Sequence, residues 1–208
     1  LLNQINKTKQ RHIITLEDPV EYTFESEQCL VEQRELGRDM PSFASGLKHA
    51  LRQDPDIILV GEMRDLETAS LAISAAETGH LVLSTLHTVN ASQTVERIID
   101  MYPANQQGQI RSMLANTLKA VIAQTLLPKI GGGMVPAVEV LLCNPAVRNI
   151  IRESRTFEIP NVIETSSRKG MMTRDASISA LVYNGLVDRD IAIANASDPE
   201  RLSITLAA

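Results

Sequence analysis

The sequence is poor in cysteine and in aromatic residues. The two cysteines, Cys29 and Cys143, are far apart and have no partners at metal-binding spacing. This argues against a disulfide framework and a zinc site, and it favours a reducing compartment. Tryptophan is absent, and there are three phenylalanines and three tyrosines, so the core must consist of Leu, Ile, Val, Ala and Met.

Positive net charge and long apolar runs are also missing. The formal net charge is −5 at pH 7, so no global field attracts nucleic acid, and we predict no nucleic-acid partner. No apolar stretch approaches the roughly 18 residues that span a bilayer, and no secretory signal is visible. The first residues, LLNQINKTKQRH, lack an initiating Met and resemble the end of an amphipathic helix. We therefore expect the chain to be part of a longer protein.

Apolar periodicity predicts alternating strands and helices. This order is typical of an α/β domain with a largely parallel sheet, which we assign to residues 1–144. Residues 145–208 are less regular and predict a small helical subdomain. The predicted strands comprise residues 12–17, 56–62, 80–87 and 134–142, and the predicted helices comprise residues 41–53, 65–78, 89–103 and 107–126.

Acidic residues and a histidine follow three successive predicted strands. Glu17 and Glu21 follow the first strand, Glu62 follows the second, and His87 with Thr88 follows the third. In open parallel sheets, ligands bind beyond the carboxyl ends of the strands. A carboxylate for Mg²⁺, another for the attacking water and a polar contact to the γ-phosphate are the groups that nucleoside triphosphate hydrolysis requires. The sequence therefore predicts a nucleotide site at this edge, although each acid alone has a structural alternative such as capping a turn.

Two neighbouring residues favour structural roles. Asp65 is expected to cap the following helix. His80 opens the third strand and His87 follows its end, so at about 3.3 Å per residue the two lie at opposite ends of the sheet. His80 is therefore interpreted as a structural or subunit-contact histidine, and a zinc site that uses both histidines is not expected.

Three long segments resemble the motifs of the secretion ATPase superfamily. HIITLEDPVEY resembles its Asp box, DPDIILVGEMRDLET its atypical Walker B motif, and AAETGHLVLSTLHT its His box. AVRNIIRE, residues 146–153, resembles a motif of the motors that retract type IV pili. The extension and type II secretion ATPases usually carry a tetracysteine module after the His box. The sequence has only Cys143 there, so the retraction branch is favoured.

The resemblance implies a RecA-like P-loop NTPase core in a homo-hexameric, Mg²⁺-dependent ATPase. It implies ATP as the nucleotide, a cytoplasmic location, and partners among the pilus platform proteins at the inner face of the cytoplasmic membrane, with peripheral rather than integral membrane association. The alternatives are a pilus-extension or type II secretion ATPase, and a non-hydrolysing regulatory paralogue.

The same resemblance assigns roles to the acids. Glu62 matches the Walker B acid and would act at Mg²⁺ through water, while Gly61 stands where an Asp is usual in other families. Glu21 matches the second Glu of the Asp box and is assigned to water activation, with Glu17 as the alternative. His87 would contact the γ-phosphate.

Further residues of these motifs are assigned to nucleotide binding. Thr88 and His80 belong to the His box, and His80 is expected to act indirectly. Arg64 would couple Glu62 to a neighbouring subunit, or else form an ordinary salt bridge with Asp65 or Glu67.

Two expectations concern the remaining sequence. In AVRNIIRE, Val147, Ile150 and Ile151 are expected to be core residues of an amphipathic helix, and the resemblance connects the segment with retraction rather than hydrolysis. The sequence contains no glycine-rich loop with a lysine, the element that carries most phosphate contacts. We therefore expect these 208 residues alone to bind ATP poorly and not to hydrolyse it.

Overall fold

The computed structural model describes residues 1–207, which form two compact units. The first unit contains residues 1–87 and 101–104, and the second contains residues 88–100 and those from 105 onward. The predicted boundary between residues 144 and 145 stays a prediction. No helix within residues 1–207 has the length and apolar character that crossing a bilayer requires.

The first unit is built on a four-stranded parallel sheet. Its elements in chain order are α1 (Leu2–Thr8), β1 (His12–Glu17), β2 (Leu30–Glu35), α2 (Phe43–Ala50), β3 (Ile57–Val60), α3 (Leu66–Glu77) and β4 (Leu81–Ser84). The strand order is β2-β1-β3-β4, and all three pairings are parallel. The prediction of a parallel α/β sheet is therefore confirmed, with β1, β3 and β4 at the predicted places.

Both faces of this sheet are covered, which explains why its central strands are so apolar. On one face, Ile14, Leu16, Ile58 and Val60 pack with Leu47 of α2 and with other buried residues in a single cluster. On the other face, Ile13 and Ile57 pack with Leu2 of α1 and with Cys29. This two-sided burial fixes the strand ends, and with them the side chains that follow.

The prediction missed β2, residues LVEQRE, because its charged and amide side chains hide the strand pattern. Along this strand five of the six residues are half-buried and Leu30 is exposed. It pairs with β1 from His12↔Leu30 to Glu17↔Glu35 and forms one edge of the sheet. An edge strand needs less apolar surface than a central one, so polar side chains are tolerated there.

The second unit combines helices with an antiparallel hairpin. It contains α4 (Ala91–Asp100), α5 (Ala104–Thr117), β5 (Ala120–Pro128), β6 (Met134–Leu142), α6 (Pro145–Arg152), α7 (Ile159–Thr165), α8 (Arg174–Tyr183), α9 (Arg189–Ala194) and α10 (Pro199–Thr205). Two short 3₁₀ helices, Thr156–Glu158 and Ser167–Lys169, lie among them. The predicted helices around α4 and α6 and the predicted strand β6 are confirmed.

The predicted single helix over residues 107–126 is wrong. The helix α5 ends at Thr117, and β5 begins at Ala120 and pairs with β6. Burial along β5 has a period of two: Val121, Ala123 and Leu127 are buried. Ile122 and Leu126 are 52% exposed on the opposite face. Because both faces of the strand are apolar, the sequence also fits a helical stripe, and the pattern alone does not distinguish the two.

The AVRNIIRE segment forms α6, as predicted. Asn144 caps the helix by accepting a hydrogen bond from the Val147 amide at 3.0 Å. Val147, Ile150 and Ile151 are buried, so the expected apolar face is confirmed.

Candidate active site

The carboxyl ends of β1, β3 and β4 stay side by side beyond the strands themselves. The Gly61 amide donates to the Leu16 carbonyl at 2.7 Å, and the Met63 amide donates to the Thr85 carbonyl at 3.3 Å. The Thr85 hydroxyl donates to the Gly61 carbonyl. These bonds bring the segments that carry Glu17, Glu62 and His87 to the same edge of the sheet.

Gly61 occupies a position where β1 and β3 approach closely. A Cβ atom at this position would lie 3.0 Å from the Leu16 carbonyl oxygen and 3.4 Å from the Glu17 Cα. Both neighbours are backbone atoms of β1, so they cannot rotate away as the end of a flexible side chain could. A side chain such as that of aspartate would therefore crowd β1 at this position.

Glu62 is a buried carboxylate that contacts two cationic or potentially cationic side chains. Its residue is 9% exposed, its Oε1 lies 2.5 Å from Arg64 Nη2, and its Oε2 lies 3.5 Å from His87 Nε2. The Arg64 and His87 side chains are 68% and 88% exposed. A buried charge needs such partners. Since the partners are themselves in solvent, they can turn toward a ligand that enters this edge.

The alternative prediction for Arg64, a salt bridge with Asp65 or Glu67, is wrong. Arg64 pairs with Glu62, and neither Asp65 nor Glu67 lies within ion-pair distance of it among the described residues. Asp65 instead caps α3, as predicted: its carboxylate accepts the Thr68 amide at 2.8 Å and the Thr68 hydroxyl at 2.8 Å.

Glu17 and Glu21 have contrasting surroundings. The Glu17 carboxylate accepts hydrogen bonds at Oε1 from the Thr15 hydroxyl at 2.6 Å and from Gln33 Nε2 at 2.9 Å. Glu21 is exposed, and no described residue donates to its carboxylate. Glu17 is thus part of the folded scaffold, whereas the Glu21 carboxylate is available to a ligand or to water.

His80 and His87 lie at opposite ends of β4, as the spacing predicts. His80 Nδ1 is 3.0 Å from the Ala75 carbonyl and 3.2 Å from the Thr78 hydroxyl, at the end of α3. Thr88 belongs to the second unit, where its hydroxyl lies 2.8 Å from that of Thr94. The structure therefore joins His87 with Glu62 and gives His80 and Thr88 local partners.

A resident metal cage is not formed by the side chains of residues 1–207, where no group of three or more His, Cys, Asp or Glu residues is arranged to hold an ion. Mg²⁺ does not require such a cage, because it is commonly held by one or two carboxylates together with phosphate oxygens and water. The single buried carboxylate of Glu62 fits a Mg²⁺ ion that arrives with a nucleotide.

The parallel sheet and its helices define an α/β protein with the RecA-like fold of the secretion ATPase superfamily. Residues 1–135 match the family model described as Type II/IV secretion system protein, and the chain belongs to this family.

Individual relatives match the chain over nearly all of its length. It is 50% identical over 200 residues to the type IV pilus retractation ATPase PilT of Pseudomonas aeruginosa, covering 96% of this chain and 58% of that protein. It is 49% identical over 204 residues to a twitching motility protein of Neisseria gonorrhoeae, covering 98% of this chain and 54% of that protein.

A solved structure of the pilus retraction motor PilT with bound ADP superposes with a TM-score of 0.89 at 47% identity, covering 98% of this chain and 57% of that one. The chain thus spans little more than half the length of the curated relatives it matches.

Proposed function

We propose that this chain forms the acidic side of the nucleotide site in an ATPase that powers retraction of a type IV pilus. The observation that carries the proposal is the buried Glu62 carboxylate at the end of β3, in contact with the exposed side chains of Arg64 and His87. Similarity to a PilT retraction ATPase over 96% of the chain supports ATP hydrolysis as the reaction and retraction as its use.

Glu21 is the proposed base for the attacking water. No described residue donates to its carboxylate, whereas the carboxylate of Glu17 accepts two hydrogen bonds. Both bonds fall on Glu17 Oε1, so the fold fixes the orientation of this carboxylate. Glu17 is therefore proposed to hold the site's shape, and Glu21 to take the proton.

His87 is proposed to contact the γ-phosphate, and Arg64 to couple Glu62 to a neighbouring subunit. Both side chains are exposed and already lie against Glu62, so a phosphate at this edge can compete for them. Thr88 and His80 are proposed to act indirectly, through the hydrogen bond to Thr94 and through the end of α3.

Glu62 is the residue that would hold Mg²⁺, through its water ligands. When bound with the nucleotide, this ion neutralises charge on the phosphates. Glu62 itself supplies a fixed negative charge that Arg64 and His87 keep in place.

The assembly is proposed from the same similarity. We place the protein in a homo-hexamer at the cytoplasmic face of the inner membrane, in peripheral contact with the pilus platform proteins. The α6 segment AVRNIIRE is assigned to retraction rather than to hydrolysis.

Phosphate release from Mg-ATP tests the reaction. We expect hydrolysis by the protein at the full length of its relatives, and weak ATP binding without turnover by residues 1–208, whose sequence contains no phosphate-binding glycine-rich loop. Equal turnover by the two would contradict the second expectation, and no turnover by the longer protein would contradict the function. Loss of the gene should give hyperpiliated, non-twitching cells, whereas bald cells would favour the extension ATPase.

A further inference from the structure

The segment that carries Glu21 is held by the edge strand β2. Residues 18–29 connect β1 to β2 without forming a helix or strand. The Val20 amide donates to Glu35 Oε2 at 3.1 Å, and the Phe24 amide donates to Gln33 Oε1 at 2.7 Å. Gln33 Nε2 donates to the Tyr22 carbonyl at 2.8 Å. The backbone is therefore fixed on both sides of Glu21, while no residue in the described part of the chain donates to the Glu21 carboxylate.

Gln33 also connects this segment to the other acid of the Asp box. Its Nε2 donates a second bond, to Glu17 Oε1 at 2.9 Å. One carboxamide thus donates twice and accepts once, and it joins Glu17 to Tyr22 and Phe24. Among side chains of this length only an amide can do all three, because a carboxylate has no donor and a thioether has neither a strong donor nor a strong acceptor.

We propose that Gln33, assisted by Glu35, is a positioning residue for ATP hydrolysis that fixes Glu21 at the attacking water. The inference rests on the proposed function. Gln33 hydrogen-bonds to the backbone that follows Glu21 and to the Glu17 carboxylate. Of these two similar acids, Glu17 is therefore held by the fold, whereas no described residue donates to the Glu21 carboxylate. The hydrogen bonds of Gln33 and Glu35 to the segment that carries Glu21 are called the clamp. Because small displacements of a reacting group cost large factors in rate, the clamp acts on the chemical step rather than on nucleotide affinity.

The primary test is Gln33→Met in the protein at its relatives' length. We expect kcat for ATP hydrolysis to fall by roughly 10- to 100-fold, with KM for ATP changed less than about twofold. Gln33→Glu keeps the acceptor but loses both donors and sets a charge against Glu17, so it should not rescue kcat. Gln28→Met is the matched control, because Gln28 is exposed in the same connection and its side chain bonds to no described residue; it should behave as wild type.

A double-mutant cycle separates positioning from general damage. If Gln33 acts through Glu21, then Gln33→Met adds little further loss of kcat in a Glu21→Gln background. A full-sized additional loss would overturn the inference, as would a rise in KM with kcat unchanged. A loss that vanishes only in a Glu17→Gln background would assign the base to Glu17 and would also overturn it.

Amide hydrogen exchange gives a readout that is independent of turnover. The Val20 and Phe24 amides should exchange slowly in the wild-type protein, and the Phe24 amide should lose protection in Gln33→Met while amides in β1 and β3 keep theirs. Unchanged protection at Phe24 would refute the clamp even if kcat fell. If the wild-type protein does not hydrolyse ATP, the proposed function fails, and this exchange pattern still decides whether the clamp exists.

Discussion

At the amino end of the four-stranded sheet, Asp56 accepts hydrogen bonds from Arg11 Nη1 at 3.0 Å and from the His12 amide at 2.8 Å. His80 is held there by the end of α3. At the carboxyl end, the buried Glu62 contacts Arg64 and His87, whose side chains are mostly in solvent. Acids and histidines thus occur at both ends, but with different neighbours.

The two ends of the sheet differ in the kind of group that contacts their acids and histidines. At the amino end, the partners include backbone groups that belong to the ends of neighbouring elements, so these bonds hold the fold together. At the carboxyl end, the partners are flexible side chains whose contacts a phosphate can replace, and Glu21 has no partner among the described residues. Residue type alone therefore does not distinguish the two ends, whereas the exposure of the side chains around the buried acid does.

The largest expected difference between the two ends is in activity after charge removal. Glu62→Gln in the protein at its relatives' length should lower ATP turnover by about 10²- to 10³-fold, because the fixed charge that serves the metal and its waters is lost. Asp56→Asn is the control: an amide oxygen can still accept the His12 amide, so turnover should stay within about twofold. Phosphate release measures the turnover of both variants, and circular dichroism checks that both are folded. Similar loss of turnover in the two variants would show that the two ends do not differ.

The next effect is steric and concerns stability. Gly61→Ala would place its Cβ 3.0 Å from the Leu16 carbonyl, and it should lower the free energy of unfolding by about 1–3 kcal/mol. Gly108→Ala is the matched change, because no described atom outside its own helix lies within 4 Å of the added Cβ. In the interior of α5 it should stabilise by about 0.5–1 kcal/mol. Chemical denaturation measures both, and a neutral Gly61→Ala would refute the close approach of β1 and β3.

The sequence was sufficient to predict where the strands end at the carboxyl edge of the sheet, because each strand is marked by its own short apolar run. Apolar runs ending in Glu17 and Glu62 are sufficient to place two strand ends, and strand spacing is sufficient to separate His80 from His87. The sequence did not reveal Gln33, because its partners lie 9 to 16 positions away in the chain and β2 itself was missed. The pairing of Arg64 with Glu62 was missed for a related reason, since neighbouring acids offered equally plausible partners.

The smallest of these expected effects compares the two histidines of β4. His87→Ala removes a side chain that contacts Glu62 and would meet the γ-phosphate, so ATP turnover should fall about tenfold, with little change in melting temperature because the imidazole is 88% exposed. His80→Ala removes the contacts to the Ala75 carbonyl and the Thr78 hydroxyl. Because His80 acts only indirectly, this variant should lower the melting temperature more than His87→Ala does and lower turnover less. If His80→Ala proved the more damaging to turnover, the amino end of β4 would have to be included in the site, and the contrast between the two ends of the sheet would no longer hold.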